Sequence, residues 1–279
     1  MRVLISADME GATGVTWPAD VEPGTEQWQR CRRMFTSDVN AAVAGLLDGG
    51  ASEVLINEAH ATMRNLLLEQ LDPRAVMLTG RHKELSMIEG IQDETVQAVA
   101  FLGYHAPAGA EGVLAHTYLA NSITSVRVNG QTASEGWLNT RVATEYGVPV
   151  VLVTGDDRTC ADAAGYAPEA VTVAVKQCVS RYAAICQPPE QTAAAITAAA
   201  TRACKLARPR EPAAPPAAGY TVEIEVDAAQ LAQAAAITPT VQRTGERTVR
   251  YQSATAWDMI RCFKAVTTMI TAAIEQHYG

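Results

Sequence analysis

Asp8 and Glu10 stand two residues apart where a short apolar stretch, Arg2 to Ala7, runs out. Read as a strand, that stretch points residues i and i+2 to the same side. Both carboxylates then aim at one point, where they repel each other unless a cation sits between them. Gly11 and Gly14 allow a sharp turn directly afterwards. Taken alone, the stretch reads more readily as a polar loop after a strand. The histidines add to it. The chain has five, and three fall at or just beyond predicted strand ends. His60 follows Val54 to Asn57, His105 follows Ala100 to Tyr104, and His116 lies in the loop Gly112 to Thr117. Ligands of open α/β sheets collect at the carboxyl ends of strands. Two carboxylates and two or three imidazoles can therefore converge on one edge, and Glu135, at the start of a predicted helix, is placed to join them.

Each residue also has a plainer reading. A lone histidine after a strand is more often a hydrogen-bonded loop residue, and Glu135 by itself is a carboxylate favoured by the helix dipole. His82 sits in the polar run Arg81-His82-Lys83-Glu84 and is assigned no role; His277 is expected to be exposed. Asp156-Asp157 suits a helix cap at least as well as a metal. Convergence is what favours chemistry. A mixed oxygen and nitrogen set suits zinc, manganese or iron better than calcium. With a bridging carboxylate it is large enough for two ions. Two ions roughly 3.5–4 Å apart hold a water, lower its pKa toward about 7 and polarise a carbonyl, which is hydrolysis chemistry. A phosphate loop, a Gly-x-Gly-x-x-Gly turn, a Gly-x-Ser-x-Gly elbow and a His-Glu-x-x-His helix are all missing from the sequence.

The elements that must position these residues follow from hydrophobic pattern. Val3–Ser6, Val54–Asn57, Val76–Leu78, Val96–Leu102, Val150–Val153 and Val171–Val175 are unbroken apolar runs, as in strands buried on both faces. Between them lie helical patterns. Ser37-Asp38 is placed to cap a helix ending at Gly49-Gly50, Thr62–Leu71 is a second, weaker helix, and Glu135–Tyr146 and Gln191–Cys204 are two more. Ser122–Thr132 reads as a hairpin around Asn129-Gly130. The Pro- and Ala-rich stretch 207–219 reads as a linker. Beyond it come two strands, Tyr220–Val226 and Thr248–Gln252, and an amphipathic helix, Ala254–Ile274. The expectation is a three-layer α/β metal-binding domain over 1–206 with a largely parallel or mixed central sheet. A small α+β unit over 220–279 packs on it or on another subunit.

With 279 residues and 48% apolar content the chain can bury a full core. A net charge of −8 makes nucleic acid an unsuitable partner. No apolar run is long enough to span a bilayer, and the N-terminus lacks a signal peptide's pattern. Six scattered cysteines without a Cys-x-x-Cys pair are expected as free, mostly buried thiols in a reducing cytoplasm.

Ser6-Ala7-Asp8-Met9-Glu10-Gly11, Asn57-Glu58-Ala59-His60, Phe101-Leu102-Gly103-Tyr104-His105-Ala106, His116-Thr117 and Gly155-Asp156-Asp157-Arg158, in that order, resemble the zinc-dependent D-aminopeptidase family known from a bacterial dipeptide-transport operon. The resemblance implies a dinuclear zinc site of Asp8, Glu10, His60, His105 and Glu135. Asp8 would bridge the ions, with Glu10 and His60 on one side and His105 and Glu135 on the other. It implies His116 as the catalytic histidine, nucleophile or general base, and we favour the base or proton shuttle. It also implies a homodecamer of two stacked pentamers. Glu58 stands where the family often has Asp, and Thr117 where Ser is common. Trp137 either lines the substrate pocket or packs in the core. The expected activity is that of a cytoplasmic aminopeptidase with two divalent ions per subunit, zinc or else manganese or cobalt. It would release an N-terminal residue, D-configured, from a short peptide or amino-acid amide. The alternatives are a related amidohydrolase acting on β-peptides or another small amide, and a non-catalytic metal-dependent binding or scaffold protein.

Overall fold

The structure, a computed structural model, describes residues 1–208 and 210–275, so the expectation for His277 lies outside the described residues. In chain order the elements are β1 (Arg2–Ala7), α1 (Pro18–Val21), α2 (Glu26–Asp48), β2 (Glu53–Glu58), β3 (Ala75–Leu78), β4 (Val96–Leu102), β5 (Ile123–Val128), β6 (Gln131–Thr132), α3 (Glu135–Glu145), β7 (Val150–Asp156), α4 (Asp157–Tyr166), β8 (Val171–Ser180), β9 (Ala183–Cys186), α5 (Pro189–Leu206), β10 (Tyr220–Val226), α6 (Ala229–Ala235), β11 (Gln242–Arg243), β12 (Thr248–Ser253) and α7 (Ala256–Ala272).

Seven strands form the central sheet in the order β3-β2-β1-β4-β7-β8-β9. All neighbours are parallel except β8 and β9. The sheet is therefore mixed and mostly parallel, the class expected from unbroken apolar strands. Strand alternation sorts its side chains into two cores. Val3 and Ile5 face Val39, Val43 and Leu46 of α2 and Ile196 and Ala200 of α5. Leu4, Phe101 and Val153 face the other way, into a core shared with Leu138 and Val142 of α3, Val222 and Ile224 of β10 and Phe263 of α7.

The second sheet runs β11-β12-β10-β5-β6. It joins the hairpin before residues 207–219 to the strands after them, with Ile224 opposite Val126. Asn129 and Gly130 turn that hairpin at φ 50° and 81°, the conformation a two-residue turn requires. Thr255 caps α7 by accepting from Asp258 N, and Met259, Ile260, Phe263, Val266 and Ile270 form its buried stripe.

Two helices differ from expectation. Helix α2 starts at Glu26, not near Ser37, because Thr25 accepts from Trp28 N and caps it. Asp38 lies inside that helix and turns its carboxylate to Thr13 instead. Residues 62–71 form no α-helix, only a short 3-10 turn at Leu68–Gln70. The Glu58 carboxylate accepts from the Asn65 and Leu66 amides, and Ala61 and Met63 hold positive φ, which a helix does not tolerate. The six cysteines are free, but only Cys31 and Cys204 are buried. Among the described residues no helix is long and apolar enough to cross a membrane.

Candidate metal centre

The chain passes from β1 to β2 and β3 on one side, then returns to place β4 on the other side of β1. The crevice outside the carboxyl ends of β1 and β4 is thus where the strand order reverses, the usual ligand position of such sheets. Asp8 follows β1, His105 follows β4 and His60 follows β2. The turns after β1 and β4 interlock. Asp8 N donates to Leu102 O at 2.8 Å and Gly11 N to Gly103 O at 2.7 Å. A Cβ at Gly11 would lie 1.9 Å from Tyr104 O, and one at Gly103, where φ is +67°, 2.0 Å from Asp8 O. Only glycine permits so close a crossing.

Six side chains meet there, all buried: Asp8, Glu10, His60, His105, His116 and Glu135. His60 Nδ1 lies 2.9 Å from Glu10 Oε2 and 3.5 Å from Asp8 Oδ1. His105 Nε2 lies 3.3 Å from Asp8 Oδ2 and 3.4 Å from Glu135 Oε1. His116 Nε2 lies 3.7 Å from Glu10 Oε1, and its ring stacks on that of His105 with centroids 4.1 Å apart. Glu135 is the first residue of α3, and its Oε1 accepts from Tyr118 N at 2.6 Å.

The outer nitrogen of each ring faces a backbone carbonyl. His60 Nε2 is 2.9 Å from Val21 O, His105 Nδ1 is 3.1 Å from Ala106 O, and His116 Nδ1 is 2.8 Å from Leu114 O. A carbonyl only accepts, so these nitrogens carry the protons. In the neutral rings the inner nitrogens then turn lone pairs toward the carboxylates. Asp8 Oδ2 and Glu10 Oε2 are buried and accept no hydrogen bond. Lone pairs facing lone pairs, with orphaned carboxylate oxygens between them, fit a cation. Three ligand triads arise among the described residues: Asp8-Glu10-His60, Asp8-His105-Glu135 and Glu10-His105-His116, each with donor atoms within 4.8 Å of one another. Asp8 belongs to the first two and is placed to bridge.

Protonation shows the same demand for positive charge. Burial raises the Asp8 carboxyl, and the adjacent Glu10 charge adds to it. Burial also opposes ionisation of Glu10 and Glu135. His60 outweighs it at Glu10, which is held well below the usual range, and His105 outweighs it at Glu135. Burial favours neutral imidazoles, yet Glu10 lifts His60 and Glu135 lifts His105 well above the usual value, with Asp8 contributing to both. His116 differs: burial and the nearby His105 charge push it down. A divalent cation would supply from the same place the charge that protons on His60 and His105 otherwise supply.

Trp137, two residues after Glu135 on α3, is half-buried against the core, with the Arg141 guanidinium carbon 4.6 Å from its ring centroid. Asp156 caps α4 by accepting from Thr159 N. Two further residues hold the loops of the site in ways no sequence motif assigned. Glu58, wholly buried, accepts from Asn65 N, Leu66 N and Thr79 Oγ1 and so shapes the loop that carries His60. Lys176 Nζ donates to the carbonyls of Glu10, Ala12 and Val15 at 2.6, 2.9 and 2.7 Å. Its signal was a lysine directly after the apolar run Val171–Val175.

Comparison with known proteins points to one peptidase family. A family model described as D-aminopeptidase, Peptidase_M55, matches residues 1–265. A curated D-aminopeptidase of Bacillus subtilis (strain 168) is 33% identical over 281 residues, covering 100% of both chains. A solved structure, the Zn-dependent D-aminopeptidase DppA from Bacillus subtilis, described as a self-compartmentalizing protease, superposes with a TM-score of 0.89 at 32% identity. The match covers 97% of this chain and 98% of that one.

Proposed function

The chain belongs to the D-aminopeptidase family and is a metal-dependent aminopeptidase, and from that premise we propose how its residues divide the work. Five side chains would hold two zinc ions per subunit: Glu10 and His60 in one group, His105 and Glu135 in the other, with Asp8 common to both. The observation that carries this is the set of inner imidazole nitrogens turned on carboxylates whose oxygens Asp8 Oδ2 and Glu10 Oε2 lack any hydrogen bond. When bound, zinc polarises a scissile carbonyl and makes water a competent nucleophile near neutral pH. His116 is the proton carrier. Burial favours its neutral ring, and the Leu114 carbonyl fixes its tautomer so that Nε2 faces the reacting groups. It takes the proton that the attacking water loses and delivers it to the leaving amine. The substrate is a short peptide or amino-acid amide with a D-configured N-terminal residue, and the enzyme works in the cytoplasm, in keeping with its free thiols.

Assembly is part of the same reading. Val179, Tyr182 and Ile185 of the β8–β9 hairpin and Trp17, which packs on Tyr182 with centroids 5.1 Å apart, are exposed apolar side chains. Neighbouring exposed side chains of this kind suit a subunit interface, and a self-compartmentalizing homodecamer would cover them. The test is release of amino acid from paired D- and L-alanyl peptides and a β-alanyl peptide, with and without chelator. Chelator-sensitive cleavage of the D-peptide alone is expected; cleavage of only the L- or β-peptide would keep the metal chemistry and move the substrate. The triad Glu10-His105-His116 favours a second role for His116, as a ligand. His116→Ala separates the two: an inactive variant retaining two zinc ions has lost a proton carrier, whereas one retaining a single ion has lost a ligand.

A further inference from the structure

Beside His116 opens a cavity of about 360 Å³, within the ~300–1,000 Å³ range of small-molecule sites. Its wall is small and uncharged, with Ala108, Ala115, Asn121 and Thr124, except for one side chain besides the histidine: Arg181. Arg181 sits at the tip of the β8–β9 hairpin, where its carbonyl accepts from Leu114 N at 2.8 Å. Leu114 O is the group that fixes the His116 ring. A single residue, Leu114, at φ 51°, therefore ties the arginine and the histidine to the same stretch of backbone.

Among the described residues the Arg181 side chain has no hydrogen-bond acceptor. Its Nε is closed off from solvent and meets no acceptor. Its guanidinium joins no ion pair among the described residues, and its aromatic neighbour is Tyr182, 5.6 Å from ring centroid to Cζ. Leaving that one buried N–H without an acceptor costs free energy that a carboxylate accepting from it would return, while the rest of the guanidinium faces the cavity.

We propose that Arg181 binds the free C-terminal carboxylate of the substrate, making this a peptidase selective for short peptides over their C-terminal amides. The inference rests on the aminopeptidase reading above. The metal cluster of Asp8, Glu10 and Glu135 takes the end bearing the amine, and the Arg181 cavity receives the leaving portion with its carboxylate, next to the histidine that protonates the new amine. Each added residue lengthens the span by roughly 3.3–3.6 Å, so a fixed arginine also limits peptide length.

The test compares D-Ala-D-Ala with D-Ala-D-Ala amide, which share one scissile bond, on the zinc-loaded enzyme. The wild type should prefer the acid about 10–100-fold in kcat/KM, the range of a charge-assisted hydrogen-bonded pair. Arg181→Gln should lose that preference while cleaving the amide within about threefold of wild type. Arg181→Lys, which keeps the charge and loses the fork, should fall between them. A wild type indifferent to the carboxylate, or an Arg181→Gln variant impaired equally on both substrates, would overturn the proposal. Calorimetric binding of the reduced-amide isostere of D-Ala-D-Ala and of its C-terminal amide gives a readout without turnover. If the wild type cleaves no D-peptide, the substrate reading fails. The isosteres still decide on Arg181: tighter binding of the acid that vanishes in Arg181→Gln upholds the assignment, and equal binding of the two refutes it.

Discussion

The loop after β1 is gripped from two sides, and the two grips are built differently. On the front, Asp8 and Glu10 enter a cluster of six ionisable side chains in which two carboxylate oxygens accept no hydrogen bond. On the back, Lys176 and Asp38 hold the same loop by its backbone, and every polar atom is used. Lys176 Nζ has three carbonyl acceptors, Asp38 accepts from Thr13 N at 2.8 Å and Thr13 Oγ1 at 2.9 Å, and Thr13 Oγ1 also meets Thr192 Oγ1 at 2.9 Å. Both clusters are buried and charged. A buried polar group left unpaired costs more than its pair contributes, so the complete cluster is a brace and the incomplete one is a seat for a ligand.

That distinction is broken most directly at Asp8. Asp8→Ala removes the residue common to two ligand triads. It should abolish zinc retention and lower kcat/KM by more than about 10³-fold, about 4 kcal/mol of transition-state stabilisation. Because it also removes a buried carboxylate that burial and Glu10 disfavour and whose Oδ2 accepts no hydrogen bond, the metal-free variant should melt no lower than the metal-free wild type. Zinc content, kinetics and thermal melts of the apo proteins check both parts; a metal-free variant much less stable than the apo wild type would make Asp8 a brace too. Lys176→Met is the opposite case. It strips three buried carbonyls of their donor and should destabilise the apo protein by about 3–5 kcal/mol, read as a lower denaturant midpoint. Since Glu10 O is one of those carbonyls, zinc affinity should also fall by about 10–100-fold, as for other groups that orient a ligand. Unchanged stability would mean that the lysine is not what holds the loop.

The front of the loop was legible in the sequence and the back was not. Asp8, His60 and His105 each follow an unbroken apolar strand, and strands of one parallel sheet present their ends to one edge, so type and position together brought these residues to one site. The hairpin at 123–132 and the strand at 220–226 are each visible from alternation and turn chemistry. Their pairing is not, because neither carries a signal of its partner. Lys176 reaches its acceptors across more than 160 residues, and Asp38 looked like a helix cap because Ser-Asp before an apolar stripe is a capping pattern. Tertiary partners overrode both local preferences. Glu58 did the same to residues 62–71 by taking the amides that a helix would have used.

Asp38 gives the finest test of the brace. Burial raises its carboxyl to about 6, against the donations from Thr13 and the charge of Lys176, which lower it. Folding thus favours the protonated form: between about pH 4 and 6 the native state binds more protons than the unfolded chain, and stability falls as pH rises. The contribution is fully present below the unfolded value near 3.8 and is lost as pH passes about 6, at most about 3 kcal/mol in all. Other groups titrate in this range, so the measurement is a difference. Unfolding free energies of the apo wild type and Asp38→Asn, taken from pH 4 to 7, should show the wild type losing ground to the variant up to about pH 6 and the gap staying constant above it. Asparagine cannot titrate, and it replaces one acceptor with a donor, which adds a cost that does not vary with pH. A flat difference would mean that Asp38 is ionised throughout. The back of the loop would then carry an ion pair with Lys176, stabilised by Thr13, and would resemble the front in charge while still differing from it in having every oxygen satisfied.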